Sequence, residues 1–534
     1  PNSSKMTSGN GIMIIEGVYQ PRKDGSCVVN VVNASIKPIT LLRNVKMGHC
    51  FIMDNQDVTC NKTINELDKP EKLSGQKMHE RVQFIIQKLK LDENQMIKEN
   101  PELKPRIIKI CLENFDIFSM NDSDIGDCRL MTYNIELLPG AKPVKARNIP
   151  LNPEYDAKLK EQLTKWLDAG IIEEGFSDWS SPIFAVKKKA APGAEAKLRF
   201  VIDFRNLNNV TKRVAWPLPL ISDNLTKLGS GKVFSTLDLT AAYHSMTMDE
   251  DSKPLTAFSA ANRMYLFNRL PFGLCNAPSL FCALMDKVLS ILPGMYGFCI
   301  SYLDDLIVFS SSPEEHVEHL QALFQVLRQV NLKLNLDKCD LLTRECHYLG
   351  HIISADGLKM NPAYLERIKD WGKPRTGKEL QKFLGFTNYY RGYFADYAKR
   401  SCMLDSHRND TIIKWTEELN RVWIEFMEMF KTEMCKGYPQ WDNPNLFIVD
   451  VDYSSQYFAG IISQEQDGVE RVFGVCSKKC KAAEQNYPSY KGELGALVYT
   501  LKNFLHFCRF REFLVRTDSI SFCLLYTSDA ADED

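Results

Sequence analysis

At 534 residues the chain is too long for one hydrophobic core, and at roughly 150 residues per domain it predicts three or four. Hydrophobic content of 44% and charged content of 25% are those of ordinary globular protein and exclude a fibrous or wholly disordered chain. With 66 basic against 67 acidic side chains the net charge is −1, so overall charge is silent about a nucleic-acid partner, and any such affinity must come from local patches.

The chain starts at Pro1 without methionine, which reads as a piece cut from something longer. Residues 11 to 60 carry short β-branched runs, Ile12-Met-Ile-Ile-Glu-Gly-Val and Cys27-Val-Val-Asn-Val-Val-Asn, that predict a small β module. From 78 to 115 apolar residues recur at three and four, as in Val82, Ile85, Ile86 and Leu89, the spacing of helices. Asn152-Pro153 opens another helix with Leu159, Leu163, Trp166 and Leu167 on one face until Gly170 ends it. Strands at Ile171-Ile-Glu-Glu and Ser181-Pro-Ile-Phe-Ala-Val begin a mixed run of helices and strands to about 350. Tyr348-Leu-Gly-His-Ile-Ile-Ser before Asp356-Gly357 reads as a hairpin, and residues 362 to 433 turn helical. Gly437-Tyr-Pro and Asp442-Asn-Pro mark a boundary, after which Leu446-Phe-Ile-Val-Asp-Val-Asp starts a new β-first domain.

Sixteen scattered cysteines, many in apolar runs, read as reduced thiols rather than a disulfide scaffold. Cys476 and Cys480 lack a second pair with zinc spacing, so a metal site is not expected there. Nothing in the first thirty residues combines a basic start, an apolar centre and a small-residue cleavage site, and no apolar run reaches the ~20 residues of a membrane span.

The most informative chemistry is the adjacent pair Asp304 and Asp305 in Ser301-Tyr-Leu-Asp-Asp-Leu-Ile-Val-Phe-Ser, flanked by strand-forming residues and so expected at a hairpin tip. Upstream, Phe234-Ser-Thr-Leu-Asp238-Leu reads as a strand ending in a third carboxylate. Hard divalent cations take carboxylate oxygens, and two of them about 4 Å apart serve an in-line phosphoryl displacement. Three such residues therefore point to a nucleotidyl-transferring polymerase. Between residues 181 and 215 eight cations, including Lys187-Lys-Lys189, Arg199 and Arg205, stand against only Glu195 and Asp203, a patch suited to phosphates.

Arg199-Phe-Val-Ile-Asp-Phe-Arg-Asn-Leu-Asn, Phe234-Ser-Thr-Leu-Asp-Leu, Leu270-Pro-Phe-Gly-Leu-Cys-Asn-Ala-Pro, Tyr302-Leu-Asp-Asp and Tyr348-Leu-Gly-His occur in one order. In that order and spacing the chain resembles reverse transcriptases. With Phe383-Leu-Gly-Phe-Thr-Asn-Tyr-Tyr-Arg added, the resemblance is to the gypsy-type LTR retrotransposons, over about residues 100 to 522. It implies that Asp238, Asp304 and Asp305 are the polymerase carboxylates. Arg199 and one of the three lysines, taken as Lys188, would meet the incoming nucleotide; the stretch from Ala190 to Ala196 is longer than the short turn usual in the family. Tyr243 resembles the ring that excludes a ribose 2′-hydroxyl, and Phe272, where many retroviral enzymes have glutamine, would pack beside the sugar.

Val451-Asp452-Tyr-Ser, Asn486-Tyr-Pro-Ser-Tyr-Lys-Gly-Glu493-Leu and Val515-Arg-Thr-Asp518 resemble a retroelement ribonuclease H, which implies Asp452, Glu493 and Asp518 as metal-binding carboxylates. Asp450, two residues before Asp452 on the same strand face, is the weaker candidate. Glu493 is expected to open a helix backed by Leu494, Leu497, Val498 and Leu501. Because only 16 residues follow Asp518, the domain is expected to lack its last acidic ligand.

The resulting expectation is an α+β multidomain chain, a right-hand polymerase of fingers, palm and thumb followed by a truncated ribonuclease H-like α/β domain whose activity is expected to be absent or weak. The expected parts are a β module (1–65), a helical leader (66–135), fingers and palm (136–349), thumb and connection (350–442), the ribonuclease H-like domain (443–522) and a non-native tail (523–534). The resemblance implies Mg2+ or Mn2+ as cofactor. Implied partners are an RNA template, a DNA primer, RNA–DNA hybrid and deoxynucleoside triphosphates, in the cytoplasm within virus-like particles or in the nucleus, with no membrane partner and a monomer or homodimer left open. The rival reading is a non-catalytic nucleic-acid-binding subunit from a decayed element.

Overall fold

The structure is a computed structural model that describes residues 12–14, 31–33 and 75–518, apart from 122, 148, 188–197 and 433. It divides into two compact units, Pro1–Leu73 and Ser74–Asp534. In the first, the strands Ile12–Ile14 and Val31–Asn33 pair antiparallel with Ile12 opposite Asn33, on two of the runs that predict a β module.

The second unit opens with the helices Gly75–Lys88, Gln95–Glu99 and Leu103–Glu113. Their apolar faces are part of the palm core: Ile85, Leu91, Leu103 and Ile107 join one cluster with Leu320 and Phe324 of the helix Pro313–Gln329. The Asn94 carboxamide caps the second helix by accepting from the Ile97 N–H at 3.1 Å and donates to the Leu341 carbonyl at 2.7 Å. The leader is thus fastened to a palm strand 247 residues away.

Asn152 accepts from the Tyr155 N–H at 2.8 Å and Pro153 occupies the first turn, so the helix Pro153–Asp168 starts where local chemistry dictates. Gly170, at φ +64°, follows its end. Leu159 and Leu163 are buried, and Trp166 lies edge-on to Phe258 of the fingers. The strands Ile183–Lys187 and Leu198–Ile202 form an antiparallel pair with Val186 opposite Arg199.

The palm is a four-stranded antiparallel sheet ordered Cys299–Tyr302, Asp305–Ser310, Val233–Asp238, Asp340–Thr343. Beneath it runs Pro313–Gln329, whose Leu320, Leu323, Phe324 and Leu327 are fully buried. A second four-stranded sheet, Glu345–Tyr348, His351–Ser354, Gly357–Met360 and Cys435–Lys436, joins palm to thumb. Tyr438 packs against the palm so closely that a Cβ on Gly229 would lie 2.6 Å from it, so the chain around the predicted boundary at 435–445 is packed rather than a free linker. The thumb helices Gly377–Thr387, Tyr397–Asp405 and Glu417–Met429 close on an aromatic core, with Phe383 and Trp423 centroids 4.7 Å apart.

The last domain orders its strands Val469–Lys479, Tyr457–Gln466, Phe447–Tyr453, Phe513–Arg516, the final pair parallel. The helix Ser489–Asn503 lies on this sheet. Its apolar stripe divides: Leu497 is buried, whereas Leu494 and Val498 are about half exposed. Among the described residues every cysteine is free, Cys476 and Cys480 included, and no helix is long and apolar enough to cross a membrane.

Candidate active sites

Asp238 ends its strand directly opposite Asp305 in the antiparallel register. Asp305 in turn pairs with Tyr302, leaving Leu303 and Asp304 as a two-residue hairpin tip. Leu303 has φ +57° and Asp304 does not share that positive φ, a pattern in which glycine is usual at the first position. A leucine held there costs roughly 1–2 kcal/mol, strain of the kind that concentrates at functional sites. Burial raises the Asp305 carboxyl above its ordinary range and the charges of Asp304 and Asp238 raise it further, with Lys338 opposing. Lys338 Nζ sits 3.0 Å from Asp238 Oδ2.

The donor set is all carboxylate, the chemistry a hard divalent cation requires. Among the described residues no three acidic, histidine or cysteine side chains are already drawn tightly enough to hold an ion.

Register between the two Asp-bearing strands is held from below by a residue sequence reasoning missed. Buried His316 bonds Ser235 Oγ at 2.7 Å through Nε2 and Ser310 Oγ at 2.8 Å through Nδ1. Ser235 Oγ also accepts from the Leu342 N–H at 3.0 Å, and Ser310 Oγ also bonds His319 Nδ1 at 2.8 Å. Burial keeps this ring neutral, its pKa lowered to about 3. Three palm strands and one helix share that network.

Three of the four expected nucleotide contacts come together. The Arg199 guanidinium lies 5.1 Å from the centroid of Phe272, whose ring is 5.1 Å from Tyr243. The Tyr243 phenol is pushed up to about 12 by burial and then by the charge of Asp304, which places it beside the hairpin tip. Lys188 lies outside the described residues. Behind Phe272, His244 donates Nδ1–H to the Leu270 carbonyl at 3.1 Å, and burial lowers its pKa to about 4. Asn208 holds the same loop, donating to the Gly273 carbonyl at 2.8 Å and accepting from the Cys275 N–H at 2.8 Å. Its place in Arg205-Asn-Leu-Asn208 was the available signal.

In the last domain, Glu493 lies one turn inside its helix, which starts at Ser489 rather than at the carboxylate. It is buried and accepts from the Tyr453 N–H at 3.1 Å and the Thr517 hydroxyl at 3.2 Å. Burial raises its carboxyl, as do the charges of Asp518 and Asp452, so these three residues face one region. Close helix–sheet approach makes this reach possible: a Cβ on Gly460 would lie 2.0 Å from Thr500 Oγ1, and one on Gly492 would lie 2.0 Å from the Tyr453 ring. Asp450 is set apart, held by Arg516, which also binds Glu470.

Residues 186–353 match the family model of the reverse transcriptase (RNA-dependent DNA polymerase), and residues 442–533 match that of the RNase H-like domain found in reverse transcriptase. The chain carries both domains. The second match includes residues 523–533, the stretch expected to be a non-native tail. Similar relatives are the retrovirus-related Pol polyproteins of Drosophila melanogaster transposons 297 (35% identity; 70% of this chain, 35% of the relative) and gypsy (31%; 68% and 36%). The enzymatic polyprotein of Cauliflower mosaic virus (strain NY8153) is 29% identical over 87% of this chain and 66% of its own. The chain spans about a third of the length of the transposon relatives, which agree with the gypsy-type resemblance. The fold is similar to the foamy viral protease-reverse transcriptase solved in complex with dsDNA (TM-score 0.73, 23% identity, 84% of this chain and 90% of that one). It is similar also to the same protein in complex with RNA/DNA hybrid (0.69, 22%, 85% and 62%).

Proposed function

We propose that the chain is an RNA- and DNA-directed DNA polymerase of a retroelement, with an associated, incomplete ribonuclease H. The observation that carries this is the palm register: Asp238 faces Asp305, with Asp304 at the adjoining tip and the Arg199–Phe272–Tyr243 cluster beside it. Magnesium or manganese held by these three carboxylates would lower the pKa of the primer 3′-hydroxyl and offset charge on the departing pyrophosphate.

The remaining roles fall to the chain itself. Arg199 offers a charge-assisted fork to the triphosphate of a deoxynucleotide. Phe272, 41% exposed, presents a face for the sugar, and the Tyr243 ring narrows the space where a 2′-hydroxyl would sit. The strained tip and the His316 network hold the carboxylates in place before substrate arrives, so that positioning is not done at the moment of reaction. Asp452, Glu493 and Asp518 would supply the second set of metal-binding oxygens. Template and primer would be held through backbone phosphates without sequence readout, giving salt-sensitive binding.

The test is magnesium-dependent incorporation of deoxynucleotides on poly(rA)/oligo(dT), beside the Asp304→Asn, Asp305→Asn double variant. Incorporation abolished in the variant is expected. A folded, hybrid-binding protein that incorporates nothing would overturn the reading and favour a non-catalytic binding subunit.

A further inference from the structure

The turn Leu349-Gly350 lies between the paired residues Tyr348 and His351 and has positive φ at both positions, +47° and +75°. Such a tight turn points its carbonyls outward, where each must find water or a donor. Here two consecutive tyrosines of the thumb supply the donors: the Tyr389 hydroxyl donates to the Leu349 carbonyl at 2.5 Å and the Tyr390 hydroxyl to the Gly350 carbonyl at 2.6 Å. A Cβ on Gly350 would lie 3.3 Å from the Tyr389 ring, so the fit leaves little slack.

His351 completes the joint. It stacks on Tyr393 at a centroid distance of 5.8 Å, lies tilted 5.4 Å from Tyr389, and its Nδ1 bonds the Tyr393 hydroxyl at 2.8 Å. On its other side the turn meets the palm. Leu349 packs in one core with Tyr302, the residue that opens the Asp304–Asp305 tip. The Tyr348 hydroxyl is buried without a hydrogen-bond partner, and the charge of Asp305 acts on it. The turn therefore shares one apolar core with the strand that leads into the carboxylate tip and is hydrogen-bonded to the thumb.

Resting on the polymerase reading, we propose that Tyr389 and Tyr390 are positioning residues: their two hydroxyls clamp the Leu349-Gly350 turn and thereby lock the thumb in register with the Asp304–Asp305 hairpin. A lock of this kind matters when the duplex must stay aligned through successive additions. It matters less for one addition on a duplex already bound.

The experiment uses Tyr389→Phe, Tyr390→Phe and the double variant, which keep the rings and remove only the donors. Extension of a primed template is measured with a trap that prevents rebinding, together with hydrogen exchange of the 349–351 amides in the free protein. For the double variant we expect run length to fall about tenfold and exchange at the turn to rise by a similar factor, as loss of two hydrogen bonds implies, with the first addition little changed. Tyr364→Phe, a ring that packs on Phe386 and contributes no donor to the turn, should change neither. Wild-type run length and wild-type exchange in the double variant would overturn the clamp. A wild type that adds no nucleotide would overturn the polymerase reading instead, while the exchange data would still decide whether the hydroxyls hold the turn.

Discussion

In the palm, two of the three carboxylates are chain neighbours and the third sits opposite in strand register, whereas the last domain draws Asp452, Glu493 and Asp518 from a strand end, a helix and the residue stretch after the final strand. The palm site is therefore set by hydrogen-bonded register and by the turn that closes it. The ribonuclease H-like site is set by how closely a helix can approach a sheet. One should fail when the hairpin is disturbed, the other when spacing is.

The largest effect expected is chemical. Asp304→Asn with Asp305→Asn should lower incorporation at least about 10³-fold, the several kcal/mol a catalytic cation contributes, and whatever cutting of hybrid RNA the last domain supports should be lost in Asp452→Asn. Asp450→Asn should leave cutting in place, because Arg516 already occupies that carboxylate. Gel assays of both activities on one hybrid would separate the two sites, and a palm variant that also silenced cutting would merge them.

Spacing comes next. Gly460→Ala places a methyl 2.0 Å from Thr500 Oγ1 and should cost about 1–3 kcal/mol through overpacking, seen as a lower denaturation midpoint for the last domain. In the thumb, Gly385 lies in the last turn of its helix with nothing within 4 Å of its missing Cβ, so Gly385→Ala should stabilise by about 0.5–1 kcal/mol. Opposite signs from the same substitution would establish that the first glycine serves helix–sheet contact.

A smaller effect follows from Glu493, whose carboxyl is raised in the folded chain. A raised carboxylate binds its proton more tightly folded than unfolded, so its ionisation destabilises the fold above that range and the penalty vanishes as pH falls through the folded pKa to the ordinary value. Glu493→Gln should accordingly raise stability at pH 7 and match wild type near pH 4, with urea midpoints as the measure. A difference that grew toward low pH would refute the assignment. The smallest change expected is Arg516→Ala, an exposed bridge between Asp450 and Glu470, at no more than about 1 kcal/mol and weaker in high salt.

Much of this was legible along the chain. Asn152-Pro153 and Gly170 bound a helix because capping and left-handed backbone are decided by adjacent residues. The Asp304–Asp305 tip was legible for the same reason, since strand formers on both sides leave a turn between them. What escaped were partners far apart in sequence. Lys338 reaches Asp238 across 100 residues, His316 reaches Ser235 across 81, and Tyr390 reaches Gly350 across 40. The exposed faces of Leu494 and Val498 escaped too, because helical spacing says which residues share a stripe and not how wide a stripe the sheet will cover.

The sequence by itself determined the Asp304–Asp305 hairpin tip, the strands that flank it, the start of the helix at Pro153 and the order of the parts, because these rest on residue chemistry and periods of two and 3.6 that act over a few residues. Only the tertiary structure decided that the helical leader belongs to the palm core, that Asp450 is bound to an arginine, and that thumb tyrosines hydrogen-bond the turn at Leu349-Gly350. Those outcomes depend on which strands pair and how closely faces pack. Such choices are made by the summed burial and hydrogen bonding of the whole chain, and no local stretch encodes them.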